Sequence, residues 1–208
     1  MKSYKQVISP YEGEIIIKKS KFITNLIPIE NSDQAEFELN KIRKKYSDAT
    51  HNCYAYISNI IATEQRFSDD GEPQGTAGIP MLEVIKKRDI LMTLVVVTRY
   101  FGGVKLGANG LIGAYTESVV TALENAEIRN FVYSIVNKVE VTYSIAPKIT
   151  QIIEDFGGRV ISVVYDSGVT ICYAVEDSKN QLLSDKMVDL CAGKIKFEFI
   201  KKDFVDYV

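Results

Sequence analysis

The sequence predicts a two-domain protein of the α+β class. Three observations support this prediction: a length of 208 residues, apolar spacing that alternates between helical and strand-like periods, and a change of pattern after Arg129. A chain of this length is sufficient for one large domain or for two small ones. The change of pattern favours two domains, residues 1–132 and 133–208.

Composition restricts the class of protein. The chain is 46% hydrophobic and 25% charged, with a net charge of −2, so any binding of nucleic acid would require a local basic patch. No apolar run reaches the roughly 18 residues of a membrane span, and the N-terminal segment lacks the apolar centre of a signal peptide. The three cysteines are widely spaced and form no CxxC pair, which argues against a disulfide framework or a zinc site. We therefore predict a cytoplasmic protein without membrane association.

The first domain begins with strands and one helix. Residues 13–29 are rich in strand-forming residues, and residues 31–33 open a helix that runs to about Tyr46. Apolar residues recur along this helix at the spacing of a core face. Residues 51–58 and 60–68 then predict two strands joined by a short turn.

A polar loop and a glycine-rich turn follow in the same domain. The loop SDDGEPQGTAGIP contains three glycines, two prolines and three acidic residues, so it is too polar to bury and too constrained for a flexible linker. A helix over about 79–87 comes next. Residues 90–98 predict a buried strand because their apolar residues hardly alternate. Beyond the glycine-rich turn, a helix is predicted over about 108–125.

The second domain has a regular order of elements. Strands are predicted near 132–143 and over 159–165, 169–175 and 194–200, and helices over 147–156 and 179–190. This order, βαββαβ, is that of the ferredoxin-like fold. It needs no element from the first domain, which supports a boundary after residue 132.

The stretch VVVTRYFGGVKLGANG, residues 95–110, has the arrangement of an anion site. A strand, a glycine-rich turn and a helix together present backbone N–H groups to an anion. Neither GxxxxGK[ST] nor GxGxxG is present, so a purely structural turn is the alternative interpretation. Arg99 and Lys105 flank the turn and suit phosphate oxygens. Tyr100 and Phe101 are either stacking platforms for bases or part of the core.

The acidic loop offers a second set of candidate residues. Asp69, Asp70 and Glu72 are hard oxygen ligands suited to Mg²⁺, and any one of them is a potential general base. Turn formation explains them equally well, because Asp70-Gly71 is a common turn sequence and Pro73 fixes the exit of the chain. We predict no metal site here.

His51 and Cys53 form a third candidate constellation. They lie two residues apart on a predicted strand, so their side chains point to the same face at a separation of roughly 7 Å. This distance is too long for a histidine to activate a thiol directly, and no orienting acid is apparent. We predict no catalytic residue and no cofactor.

Three segments of the sequence resemble the YigZ/IMPACT family: ATHNCYAY, RFSDDGEPQGTAGIP and VVVTRYFGGVKLGANGLIGAY. The core RYFGGVKLG is highly specific for that family. The resemblance covers the first domain closely, and the second domain is similar to the C-terminal domain of bacterial members. It implies that the first domain has the ribosomal protein S-five domain-two type of fold and that the second resembles the last domain of elongation factor G.

The resemblance also implies a partner and a functional surface. The pair of domains looks like two adjacent domains of a translocating elongation factor, which implies RNA or the ribosome as the partner. Matched to the family signature, the functional surface of this sequence comprises two groups of residues. The turn contributes Arg99, Tyr100, Phe101, Gly102, Gly103, Lys105 and Gly107. The adjacent loop and strand contribute His51, Asp69, Asp70, Gly71, Glu72, Pro73 and Thr76.

These observations lead to one main hypothesis and two alternatives. The main hypothesis is a non-enzymatic RNA-binding protein associated with translation or its regulation, in which Arg99 and Lys105 contact phosphates and Tyr100 or Phe101 stacks on a base or supports the loop. The first alternative is an enzyme or binder for a phosphorylated small molecule or nucleotide at the glycine-rich turn. The second is a protein-interaction module in translational control. Eukaryotic relatives regulate translation through a stress-kinase activator, but those relatives carry an additional N-terminal RWD domain, and we do not extend that activity to this chain.

Overall fold

The computed structural model describes residues 3–207. These residues form two compact units, of which the first comprises Ser3–Asn130 and the second begins at Phe131. Each unit contains both helices and a sheet, which confirms the α+β class. No helix within residues 3–207 is both long enough and apolar enough to cross a membrane.

An antiparallel sheet forms the centre of the first unit. Its strands are β2 (Tyr11–Ile17), β3 (Ser20–Pro28), β4 (His51–Ile57), β5 (Gln65–Ser68) and β6 (Thr93–Tyr100), arranged in the order β2-β3-β6-β4-β5. β5 is shorter than predicted because the side-chain oxygen of Asn59 accepts hydrogen bonds from the N–H groups of Thr63 and Glu64 and folds this segment into a turn. A further strand, β1 (Ser3–Val7), was not predicted.

Helices cover both faces of this sheet, and their bounds are α1 (Ser32–Lys45), α2 (Gly78–Lys87) and α3 (Gly107–Asn125). α1 packs on Tyr56, Leu94 and Val96. On the opposite face, Tyr115 of α3 contacts the ring of Phe22 edge to face, and α2 packs beside α3. β6 lies in the middle and is buried at every residue except Tyr100, which explains its unbroken apolar sequence.

The second unit has the predicted βαββαβ order, which confirms its ferredoxin-like fold. Its elements are β7 (Ile128–Val141), α4 (Ala146–Asp155), β8 (Arg159–Tyr165), β9 (Val169–Glu176), α5 (Asp177–Leu190) and β10 (Lys196–Tyr207). In the sheet, β7 pairs with both β10 and β9, and β8 pairs with β9. The two helices pack their apolar residues, among them Ile149, Ile153, Leu183 and Met187, on the sheet.

Candidate functional site

The acidic loop (residues 69–76) and the glycine-rich turn (residues 99–107) line one cleft in the first unit. The cleft has a volume of about 330 Å³, within the range of small-molecule sites. Both segments and the first turns of α3 contribute its lining residues: Glu72, Pro73, Arg99, Phe101, Lys105, Leu106, Gly107, Ala108 and Leu111. Two segments that are distant in the sequence therefore form a single site.

The glycines of the turn have two distinct physical roles. A Cβ atom on Gly102 would lie 1.9 Å from the carbonyl oxygen of Lys19, so the turn approaches the β2-β3 hairpin as closely as only glycine allows. Gly103 and Gly107 have φ angles of +84° and +73°, in the left-handed region that side chains disfavour. The first role brings the turn against the sheet, and the second directs the chain into α3.

Arg99 lies in the wall of the cleft and is paired with Glu72. Its Nη1 donates a hydrogen bond of 2.7 Å to Oε1 of Glu72, and the two side chains are only 6% and 3% exposed. Its Nη2 donates to the hydroxyl of Ser20 at 3.3 Å. The positive charge of Arg99, which we expected to face a partner, is thus balanced by Glu72 inside the fold. The role of Arg99 as a phosphate contact stays a prediction.

Glu72 is the centre of a buried polar network. The hydroxyl of Tyr115 donates a second hydrogen bond to Oε1 of Glu72, at 2.8 Å. Sγ of Cys53 lies 3.3 Å from the same hydroxyl. Burial raises the pKa of the Cys53 thiol to about 12, and it also raises the pKa of Tyr115. Cys53 is therefore protonated at neutral pH and is unsuited to act as a nucleophile.

Asp69 holds the acidic loop in place through its carboxylate. Oδ1 accepts hydrogen bonds from the N–H groups of Ala77 and Gly78, at 3.0 and 2.8 Å, and Oδ2 accepts one from Gly75 at 2.8 Å. The N–H groups of Ala77 and Gly78 lie at the start of α2, where no intrahelical acceptor is available, and that of Gly75 belongs to the loop. Asp69 thus caps α2, and its oxygens are engaged by the backbone instead of a cation.

The other polar groups of the loop are also used within the fold. Oδ2 of Asp70 accepts from the N–H of Asn52 at 2.7 Å. The carbonyl oxygen of Asp70 lies 2.8 Å from Nδ1 of His51, so this ring nitrogen carries the proton. The hydroxyl of Thr76 donates to the carbonyl oxygen of Pro73 at 2.6 Å. Within residues 3–207, no group of three or more metal-ligating side chains is placed to hold a metal ion.

In contrast, the glycine-rich turn presents unsatisfied groups to the cleft. Phe101 is 49% exposed, and Cζ of Arg99 lies 5.6 Å from the centre of its ring. Lys105 is exposed, and among residues 3–207 it has no carboxylate partner. α3 begins without a side-chain cap at Leu106 and without an acidic residue in its first turn. Its first N–H groups and the positive end of its dipole are therefore open to an anion.

Tyr100 and Phe101 have different environments. Residues alternate between the faces of a strand, and Tyr100 lies on the face opposite to Arg99. Its hydroxyl donates to Oδ1 of Asp48 at 2.8 Å, and this hydrogen bond raises the pKa of Tyr100. Phe101 lines the cleft, whereas Tyr100 does not.

Sequence reasoning missed three residues of the site. Tyr115 anchors Glu72, Ser20 anchors Arg99, and Leu111 forms part of the apolar lining. For Tyr115 a signal existed, because a tyrosine in the apolar face of a helix needs a buried hydrogen-bond partner. The position of Ser20 depends on the pairing of distant strands, and no local pattern indicates it.

Comparisons with known proteins find matches to segments in both units. The model of the Impact N-terminal domain matches residues 18–123, and the model of a domain of unknown function, DUF1949, matches residues 139–194. IMPACT family member YvyE of Bacillus subtilis is 38% identical over 92% of this chain and 88% of its own length. IMPACT family member YigZ of Escherichia coli is 31% identical over 89% of this chain and 92% of its own length. A crystal structure of an hypothetical protein, 29% identical, covers 98% of this chain and 100% of that protein with a TM-score of 0.60.

Proposed function

Because the chain belongs to the IMPACT family, we propose that it is a non-enzymatic RNA-binding protein that acts in the cytoplasm in association with translation. The RNA or the ribosome is its partner, and the cleft of the first unit receives a single-stranded segment. The arrangement that carries the proposal is the combination, in one cleft, of an exposed aromatic ring, an unpaired cation and an uncapped helix N-terminus.

Each of these groups has a defined role in the proposal. The ring of Phe101 stacks on a base, as aromatic side chains do in proteins that bind single strands. Lys105 and the first N–H groups of α3 receive a phosphate. Arg99 positions Phe101 through the contact between its guanidinium and the ring.

The overall charge of the chain is consistent with a small number of phosphate contacts. A net charge of −2 provides no general attraction to RNA, so the affinity depends on the cleft itself. Lys105 is its unpaired cation, and each phosphate contact to a single strand contributes a slope of about −0.7 to a plot of log K against log salt concentration.

The salt dependence of RNA binding tests this proposal. Fluorescence anisotropy with a mixed-sequence single-stranded RNA measures the affinity of the unmodified chain, of Lys105→Ala and of Lys44→Ala. Lys44 is also an exposed lysine, but it lies on α1 across the sheet from the cleft. We expect Lys105→Ala to bind more weakly and with a slope shallower by about 0.7, and Lys44→Ala to bind like the unmodified chain. Equal affinities and slopes for all three proteins would refute the proposal.

A binder of free nucleotides or other phosphorylated small molecules is the second candidate. The observation in its favour is the volume of the cleft, about 330 Å³, which suits a ligand of the size of one nucleotide. Thermal-shift measurements with nucleotides, with and without Mg²⁺, distinguish the two functions. A shift with nucleotides but no affinity for RNA would favour the second candidate.

A further inference from the structure

We propose that the cleft reads guanine and that Glu72 recognises the edge of the base. This inference rests on the proposed function, because it names the base that the cleft prefers. It is carried by one carboxylate oxygen of the cleft wall that the fold leaves without a hydrogen-bond donor.

The acceptor is Oε2 of Glu72. The other carboxylate oxygen, Oε1, receives hydrogen bonds from Arg99 and Tyr115, which occupy both of its lone pairs. The ring of His51 lies beside Oε2, with its Nε2 3.8 Å away, beyond hydrogen-bond distance. Within residues 3–207, Oε2 therefore has no hydrogen-bond donor. The side chain of Glu72 is only 3% exposed, so a carboxylate oxygen without a donor is costly to the fold there, and a ligand that donates to it would remove this cost.

Arg99 holds this carboxylate in place and does not itself reach the base. Nη1 and Nη2 of its guanidinium are bound to Glu72 and Ser20. Nε is buried without a partner in the described part of the chain, so a ligand in the cleft does not contact it. Oε2 of Glu72 is therefore the acceptor that this wall presents to the cleft.

Guanine matches this acceptor better than the other bases do. Its Watson–Crick edge carries two adjacent donors, N1–H and the N2 amino group. The two lone pairs of Oε2 are able to accept both donors. Adenine and cytosine place a ring-nitrogen acceptor against the carboxylate, and uracil lacks the second donor. The ring of Phe101 stacks on any base and does not discriminate between them.

The inference is tested on the unmodified full chain with three single-stranded pentanucleotides. All consist of adenosine except at the central position, which is guanosine, inosine or adenosine. Inosine lacks only the N2 amino group, so it isolates one hydrogen bond to a charged acceptor, which corresponds to a factor of about ten or more in affinity. We expect the order guanosine, inosine, adenosine from tightest to weakest.

The outcomes of this comparison separate the two proposals. Equal affinities for the three pentanucleotides would overturn the inference and leave RNA binding intact. Absence of binding to all three would overturn both proposals. Binding of the guanosine and inosine forms with equal affinity would also overturn the role of Glu72, because the N2 amino group would then make no contact.

A substitution gives a second and independent test. In Glu72→Gln, the donors Arg99 and Tyr115 retain the amide oxygen at the position of Oε1, so the amide nitrogen occupies the position of Oε2. The wall then presents a donor where it had an acceptor, and we expect the preference for guanosine to be lost or reversed in favour of adenosine. The matched control is Glu117→Gln, an exposed position on the same helix as Tyr115, which should keep the preference for guanosine. Retention of the preference for guanosine by Glu72→Gln would overturn the inference. If this variant does not fold, the comparison of guanosine with inosine on the unmodified chain decides the question.

Discussion

The acidic loop and the glycine-rich turn line the same cleft, but they differ in how their polar groups are satisfied. In the loop, backbone N–H groups bind the carboxylate of Asp69, and Arg99 binds the carboxylate of Glu72. In the turn, Lys105 and the first N–H groups of α3 have no such partners among the described residues. Arg99 belongs to the sequence of the turn but to the hydrogen-bond network of the loop. A charge beside a glycine motif therefore identifies a contact residue only when the fold leaves that charge unpaired.

The largest effect expected from this comparison is on stability, at Arg99. Arg99→Met would leave Glu72 buried without its cation, which typically costs about 3–5 kcal/mol in the free energy of unfolding. Urea denaturation measures this cost. The double variant Arg99→Met with Glu72→Leu should recover most of it, because the lone buried charge is removed as well. Lys105→Met, the matched change in the turn, should alter the free energy of unfolding by no more than about 0.5 kcal/mol. Equal losses for the two single variants would contradict the distinction between Arg99, which is paired inside the fold, and Lys105, which is unpaired.

The next largest effect is expected at the cap of α2. Asp69→Ala removes three hydrogen bonds to backbone N–H groups, and we expect a loss of about 2–4 kcal/mol in the free energy of unfolding. The free energy of unfolding of Asp69→Asn should lie between those of Asp69→Ala and the unmodified chain, because Asn retains one acceptor oxygen. Asp33→Ala in the first turn of α1 is the control, with a loss below about 1 kcal/mol. A loss of that smaller size for Asp69→Ala would show that the loop does not depend on this carboxylate.

A smaller effect separates the two adjacent glycines of the turn. Gly102→Ala places a methyl group against the backbone of Lys19, and we expect a loss of up to about 3 kcal/mol. Gly103 has open space around it and a positive φ, so Gly103→Ala should cost only about 1 kcal/mol. Thermal or urea unfolding of both variants measures the difference, and a larger loss for Gly103→Ala would contradict the assigned roles.

The predictability of the fold follows from how local its signals are. The βαββαβ order of the second unit and the burial of β6 were predicted because apolar spacing within single elements indicates them. β1 was missed because it bonds to a distant segment: Lys5 donates to the carbonyl oxygen of Asp89 and accepts from the N–H of Leu91. No pattern within residues 3–7 indicates that pairing.

The same limit applies to the site. The two segments that line the cleft were singled out from their residues and from the family resemblance. Phe101 and Lys105 line the cleft, and their role as contacts stays a prediction. The pairing of Arg99 with Glu72 was not predicted, because it depends on the register of the sheet. Arg99 lies opposite Phe22 on one neighbouring strand and opposite His51 on the other, so its side chain is enclosed. The position of Arg99 at the end of a continuous buried strand was the available signal.

The central claim is that RNA binds at the cleft through the exposed groups of the turn. The most direct measurement is the change in backbone amide resonances of ¹⁵N-labelled protein on titration with the guanosine-containing pentanucleotide. We predict the largest shifts at Phe101, Lys105, Gly107 and Ala108, and small shifts throughout the second unit. Shifts confined to the second unit, or the absence of shifts in residues 99–108 at saturating RNA, would contradict the claim.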